Sequence, residues 1–512
     1  MLREVKTENG WVRGIPAADP RITAFKGIPF AAPPVGELRW KGPQPAEDWV
    51  GVRECYTFGP IAMQKMPGLD PDNIYSREWN VDTNLDMSED CLQLNIWTPA
   101  KSADEKLPVM VWFYGGGLQE GHPSEMEFDG ERIARRGVIL VSVNYRVNIF
   151  GFFAHPEITA TAQDKCYTNF GSYDQRYGLM WVKRNIAAFG GDPDNITIFG
   201  QSAGGRSVLF QLCSPLNDTD HIKKAISMSG GGINYMSMMA YLPLEKAEEN
   251  GVKFFEFLGV KSLEEAKAID SFTIRDKMLE FAEKTGIRWG FNVDGVFAPE
   301  DPADMLAEGK RLNVPLMAGH TTGDMGDAFG RKPTKESIRD QIIALVGEKD
   351  AKEVLDLAGY ETASLDELKD ALKINGQRFG VELLHMKGAD DGMTEYFYCF
   401  GPEMPGWDDP GAFHSSDLWF VFETLAKCWR PFKGKHYDLA RQMCNYWTNF
   451  AKTGDPNGTD NDGAPLPEWK KFTNEEPLSM CFDDVCHMQT EPDRPAVKLL
   501  LEKLAGCKWR NR

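Results

Sequence analysis

The sequence predicts an α/β fold: one large, mostly parallel, twisted sheet with helices packed on both faces. Short apolar, β-rich runs recur at 109–113, 138–143, 196–199, 225–228, 314–318 and 396–400, and helix-compatible segments at 173–189 and 203–212 fall between them. Strands that are apolar throughout belong to a sheet covered on both sides, and an intervening helix is the usual way to bring the next strand in parallel. The third observation is the absence of any repeat at a 20 to 50 residue period, which argues against a solenoid.

Taken in order, the first run, Val109-Met-Val-Trp-Phe113, leads through Tyr114 into three glycines, Gly115 to Gly117. A glycine triplet after a strand can be a flexible connection or a backbone surface that lets a ligand come close. The run at 196–199 leads into Gly200-Gln201-Ser202-Ala203-Gly204, and a helix-compatible segment follows. Gly-x-Ser-x-Gly alone is weak; between a strand and a helix it is a nucleophile elbow, whose small neighbours let a sharp turn lift the serine oxygen above the sheet edge. With an elbow downstream, the glycine triplet becomes a source of backbone N–H donors to a tetrahedral oxyanion. The fold is thus expected to be the α/β-hydrolase fold, formed by the whole chain, 1–512, as a single domain. Residues 334–387 are charged and helix-periodic, and are expected to form a helical cap or regulatory insertion.

A serine hydroxyl needs a base, and in this fold the chain order is serine, acid, histidine. Of the eight histidines, His221 comes too early to leave room for an acid strand, His385 falls in the helical insertion and His436 opens a helix-like segment. His414 sits in a loop after the 396–400 strand, where a catalytic histidine belongs. The acid should follow the 314–318 strand; Asp324 and Asp327 both qualify by position.

Composition narrows the function. The chain has 57 Lys and Arg against 76 Asp and Glu, a net charge of −19, so nucleic acid and anionic membrane surfaces are not expected partners. No stretch reaches the roughly 20 apolar residues of a membrane span, and the amino end shows no apolar signal region. The ten cysteines are scattered and read as reduced thiols, so a cytoplasmic location is expected. Without Cys-x-x-Cys, His-Glu-x-x-His or a P-loop, no metal and no cofactor are expected.

Longer motifs then bear on identity: Phe25-Lys-Gly-Ile-Pro-Phe-Ala-Ala-Pro-Pro-Val-Gly-Glu-Leu-Arg39-Trp, Ser88-Glu89-Asp90-Cys91-Leu-Gln-Leu-Asn95, Asn144-Tyr-Arg146-Val, Tyr173-Asp174-Gln175, Phe189-Gly-Gly-Asp-Pro193, the elbow, and Phe450-Ala-Lys-Thr-Gly-Asp-Pro-Asn457. In this order, over nearly the whole chain, they resemble the type-B carboxylesterase family. The resemblance implies Ser202 as nucleophile, His414 as general base and acid, and Gly116, Gly117 and Ala203 as oxyanion donors. It puts Asp324, in place of the usual Glu, on the catalytic acid, and pairs Arg39 with Glu89 and Arg146 with Asp174 as structural ion pairs. Gln201 stands where relatives usually carry Glu. Cys91 matches a cysteine that secreted animal relatives bond to one not far downstream, but the next cysteine here is Cys166.

The expected function is hydrolysis of small-molecule carboxylic esters through an acyl-enzyme. Lipase, thioesterase or amidase chemistry on the same triad is the alternative, and a non-catalytic binding protein on this fold is a remoter one. Gln201 removes a charge that would favour cationic substrates, and Tyr114, Trp407, Trp419 and Phe420 lie near the site residues in sequence as candidate pocket aromatics. Apolar or aromatic esters, hydroxycinnamoyl (feruloyl-type) esters among them, are therefore expected ahead of choline esters and long-chain triglycerides.

Overall fold

A computed structural model describes residues 1–233, 241–326, 328–330 and 332–506. Its centre is an eleven-stranded sheet. In chain order the strands are β1 (Ile15–Pro16), β2 (Thr23–Pro29), β3 (Gln93–Thr98), β4 (Leu107–Phe113), β5 (Ile139–Val143) and β6 (Gly191–Gln201). Then come β7 (Lys224–Met228), β8 (Leu316–Thr321), β9 (Glu395–Phe400), β10 (Leu478–Phe482) and β11 (His487–Thr490). Across the sheet they run β11-β10-β9-β8-β7-β6-β4-β5-β3-β2-β1. From β10 to β5 every neighbouring pair is parallel, and the strands beyond pair antiparallel. The six apolar runs of the sequence are six adjacent strands of the parallel part. The antiparallel strands lack that continuous apolar signature: β2 carries Lys26 and Gly27, and three of the four residues of β11 are polar.

Burial follows from the apolar runs. Val109 to Phe113 on β4 and all of β5, β7, β8 and β9 are buried, and since alternate side chains face opposite ways both faces must be covered. Helices do this. α1 (Phe170–Asn185), which ends in a 3₁₀ turn at Ile186–Phe189, and α2 (Ala203–Cys213) fill the two segments read as helical. Between β8 and β9 lie α3 (Lys335–Leu357), α4 (Leu365–Ala371) and α5 (Gly376–Asp390). Side-chain caps start them: Thr334 accepts from Ser337 N, Ser364 from Glu367 N, and Asn375 from Gln377 N, which satisfies otherwise orphaned amides. α5 packs on β8 and β9, while α3 packs on the C-terminal α7 (Pro495–Gly506); α6 (Gly434–Thr453) packs on β4 and β6.

Two buried ion pairs brace the loops around the sheet. Arg39 grips Glu89 with two hydrogen bonds of 2.7 Å, and Arg146 grips Asp174 likewise, its backbone N–H adding a third at 3.1 Å. Asp174 is fully buried and Arg146 is 3% exposed. The bridges join positions 50 and 28 residues apart in sequence. Removing one partner strands a buried charge, which costs more than the intact pair contributes. Asp174→Ala should therefore lower unfolding stability by about 3 to 5 kcal/mol, read from the shift of the urea midpoint.

Candidate active site

The serine turn is made by backbone crowding. Ser202 stands between β6 and α2 with φ 57° and ψ −123°, a conformation costly for any residue with a Cβ and typical of a nucleophile elbow. The turn closes because a Cβ on Gly204 would come within 2.0 Å of the Phe113 carbonyl oxygen, and one on Gly200 within 2.4 Å of the Gly204 carbonyl carbon. The bare glycines thus let the start of α2 press against the end of β4. The glycine triplet is pulled into the same place: the Cβ direction of Gly115 meets the Gln201 carbonyl at 2.8 Å and Ser202 Cβ at 3.2 Å. Gly116 and Gly117 take φ of 97° and 64°. Ala203 is the first residue of α2, so its N–H has no intrahelical acceptor and shares the positive end of the helix dipole.

His414 Nε2 lies 2.8 Å from Ser202 Oγ, and its Nδ1 is hydrogen-bonded to Asp324 Oδ1. Asp324 follows β8 and is held from several sides. Its Oδ2 accepts from Ser229 Oγ at 2.6 Å and from the Thr321 N–H at 3.2 Å, and its Oδ1 from the Met325 N–H at 3.1 Å. Burial by itself would push this carboxyl's pKa up, but the His414 ring, helped by the Ser229 hydroxyl and by His320, holds it below the ordinary value. The acid and histidine loops are tied by the Gly323 N–H donating to Ala412 O at 2.9 Å, and Asn375 at the start of α5 donates to Asp324 O at 2.8 Å. Asp327, the other positional candidate, lies outside the described residues.

The structure thus brings Ser202, His414, Asp324, the glycine triplet and Ala203 to one end of the parallel strands. Gln201 is there too, buried, its Nε2 3.5 Å from His414 Nε2. The proposed pocket aromatics go elsewhere. Tyr114 is fully buried behind the glycine loop, stacked on Tyr145 at 4.2 Å with its hydroxyl donating to Tyr145 O. Trp419 and Phe420 are core residues, the first donating to Glu78 and packed on Trp79, the second wedged between Phe400 and Phe432. Trp407 is 77% exposed and packs on Trp429. Nearness in sequence failed because neighbouring side chains in a turn or strand end point in different directions. Of the aromatics beside the site, Phe413 directly precedes His414, while Trp79, Trp289 and Phe291 come from distant segments. Phe413 stacks on Trp79 on the histidine side, and Ala203 and Leu118 belong to an apolar cluster with Phe210, Trp289, Phe291 and Phe297.

Sequence reasoning also missed Ser229, Asn375 and Asp417. Ser229 directly follows β7, at φ 48°; a polar residue just past a parallel strand beside the elbow strand was the available signal. Asp417 is fully buried, accepts from Tyr398 at 3.0 Å, and has its other oxygen without a hydrogen-bond partner. Burial, opposed by the Tyr398 hydrogen bond and aided by the charge of Asp324, raises its pKa from 3.8 to about 7. Between about pH 4 and 7 the folded chain keeps a proton that the unfolded chain releases, so this group's effect on stability worsens as pH rises through that window. Asp417→Asn should remove that slope and gain stability over the native chain toward neutral pH, with a ceiling of about 1.4 kcal/mol per pKa unit; urea titrations at pH 5 and 8 measure it.

The carboxylesterase family model matches residues 2–373 and 360–499. The para-nitrobenzyl esterase of Bacillus subtilis (strain 168) is 31% identical over 507 residues, covering 96% of each chain, and the cholinesterase of Mus musculus is 32% identical, covering 92% of this chain and 84% of its own. Among solved structures, a PNB esterase superposes with a TM-score of 0.80 at 27% identity over 98% of this chain and 99% of its own. The Geobacillus stearothermophilus carboxylesterase gives 0.75 at 29% identity over 98% and 100%. With the α/β-hydrolase sheet and the serine elbow, these likenesses make the chain a member of the carboxylesterase family and a carboxylic ester hydrolase.

Proposed function

We propose that the chain hydrolyses small to medium apolar or aromatic esters through an acyl-enzyme, with Ser202 as nucleophile, His414 as base then acid, and Asp324 as the orienting carboxylate. The observation that carries this reading is the unbroken chain of contacts from Ser202 Oγ to His414 Nε2 and from His414 Nδ1 to Asp324 Oδ1. Attack of Ser202 Oγ on the ester carbonyl sends its proton to His414 Nε2. Asp324 stabilises the imidazolium through the Nδ1 hydrogen bond without taking the proton. The N–H groups of Gly116, Gly117 and Ala203 receive the oxyanion, where each such donor contributes about 2.7 to 4 kcal/mol in the transition state. His414 then protonates the leaving alcohol, and a water deprotonated by the same nitrogen releases the acid.

The substrate class rests on the surroundings. Apolar side chains flank the turn through Leu118 and Ala203 on one side and Phe413 with Trp79 on the other, and planar groups bind well against such surfaces. Gln201 is neutral where relatives usually carry a carboxylate, which lowers the attraction for quaternary ammonium. Hydroxycinnamoyl esters and short aryl esters fit both features. A reducing, cytoplasmic setting suits the nine described cysteines, all of them free.

Two measurements test these assignments. Ser202→Ala should keep the fold by circular dichroism and lose nearly all turnover and fluorophosphonate labelling; Asp324→Asn should lower kcat by about 10⁴-fold. A folded Ser202→Ala protein with near-native ester hydrolysis would overturn the nucleophile assignment. For the substrate class, kcat/KM is compared for methyl ferulate, a short para-nitrophenyl ester, butyrylthiocholine and a long-chain triglyceride. The first two should lead; a lead for either of the others would overturn the substrate reading and leave the triad standing.

A further inference from the structure

Away from the ester chemistry, three donor atoms meet on one row of the sheet. In the parallel register His320 on β8 pairs with Cys399 on β9, and paired positions of parallel strands project from the same face. Glu491, just beyond β11, folds over this row and brings Oε1 to 3.7 Å from His320 Nε2. The ring nitrogen, the Cys399 sulfur and a Glu491 oxygen all lie within 4.8 Å of one another. The cluster is buried: His320 is 3% exposed, Cys399 is 2%, and the Glu491 side chain is 6%.

The orientation of the imidazole is informative. His320 Nδ1 lies 3.0 Å from the Thr321 carbonyl oxygen, which can only accept, so Nδ1 carries the hydrogen. Nε2 faces the Glu491 carboxylate at 3.7 Å, which pairs with the ring when it is protonated; in the uncharged ring Nε2 presents a lone pair there, with no partner within hydrogen-bond distance. A buried nitrogen left this way costs about 1 to 3 kcal/mol unless something binds it. An N–H fixed on a backbone carbonyl with the opposite nitrogen free is the arrangement of a metal-bound histidine. Glu491 is braced as well: Ser479 Oγ donates to its Oε1 at 2.8 Å, and Arg378 Nε lies 3.5 Å from its Oε2.

We propose that His320 Nε2, Cys399 Sγ and the Glu491 carboxylate form a binding site for a zinc-class divalent cation, with a fourth position left for water. Imidazole, thiolate and carboxylate together are the ligand types that select such an ion over magnesium or calcium. Bond lengths of 2.0 to 2.3 Å place donor atoms about 3.5 Å apart around a tetrahedral ion. The cluster must therefore contract by about 1 Å, which a shift of the Glu491 carboxylate with the surface chain at 490–494, where 490, 492 and 494 are exposed, would supply. On binding, the Cys399 thiol gives its proton to solvent and its sulfur bonds the metal as thiolate. Thiolate and carboxylate neutralise the ion, and no electrons are transferred. The site joins β8, β9 and the segment leading into α7, so occupancy should raise thermal stability by mass action.

The test uses the full chain, stripped with a chelator and titrated with Zn²⁺ and, separately, Co²⁺. One zinc should bind per chain with release of a proton and a higher melting temperature, and cobalt should give near-ultraviolet thiolate charge-transfer absorption. Cys399→Ser should abolish that absorption, and His320→Gln should weaken zinc binding by more than about 100-fold. His487→Ala is the control, because Cys481, Asp483 and His487 form a second, more exposed group of donors nearby; it should leave zinc binding unchanged. A native chain with no thiolate–cobalt absorption would overturn the proposal even if the substituted chains failed to fold, as would binding lost with His487→Ala and kept with Cys399→Ser.

Discussion

The site hangs on one steric constraint, the contact of Gly204 with the end of β4. The Phe113 carbonyl oxygen occupies the space a side chain at 204 would need, so only a glycine lets α2 start that close to the neighbouring strand. From this approach follow the strained Ser202 backbone and the docking of Gly115 against the serine turn. The strain at Ser202 costs of order 1 to 3 kcal/mol. It is offset by the packing of strands that are buried along nearly their whole length, which is why the elbow belongs at the centre of a parallel sheet and not at its edge.

A second level of organisation is electrostatic. A carboxyl buried as deeply as Asp324 would ordinarily be protonated, and then it could not stabilise an imidazolium. The His414 ring, with the Ser229 hydroxyl and His320, reverses that tendency. Asp417, buried nearby with one hydrogen-bond donor, goes the other way. Two aspartates in one region are thus driven apart in charge state, Asp324 by the His414 ring and the Ser229 hydroxyl and Asp417 by burial and the charge of Asp324, so that the loop around the histidine avoids two adjacent buried negative charges.

How much of this was legible depended on whether the signal was local. Six of the seven parallel strands, α1, α2, the elbow and the glycine triplet each announce themselves within ten or twenty residues, because apolar periodicity and glycine placement are properties of a segment. Ser202, His414 and Asp324 were reachable by combining such segments with a chain-order rule and a family resemblance. The aromatic surroundings were not: Tyr114, Trp419 and Phe420 are adjacent to site residues in sequence but point into the core, while Trp79, Trp289 and Phe291 arrive from remote segments. The His320, Cys399 and Glu491 cluster was hidden for the same reason, since its members come from two strands and a C-terminal loop and form no spacing motif.

The aspartate at 324 poses a geometric problem that the loops solve. A glutamate at that position would reach about 1.5 Å farther, so an aspartate must be delivered closer to His414 by its backbone. Three contacts do this. The Thr322 N–H donates to Phe400 O at 2.8 Å, the Gly323 N–H donates to Ala412 O, and Asn375 holds the Asp324 carbonyl from the start of α5. The first continues the pairing of β8 and β9 by one bond, and the second belongs to an isolated parallel bridge between Gly323 and Phe413 that ties the acid loop to the histidine loop. A Cβ on Gly323 would lie 2.8 Å from the Ala412 carbonyl oxygen, so this close pairing, like the elbow itself, depends on a missing side chain. The short acid and the close loop pairing therefore go together, and lengthening the side chain alone would press its carboxylate into the His414 ring whose Nδ1 it contacts.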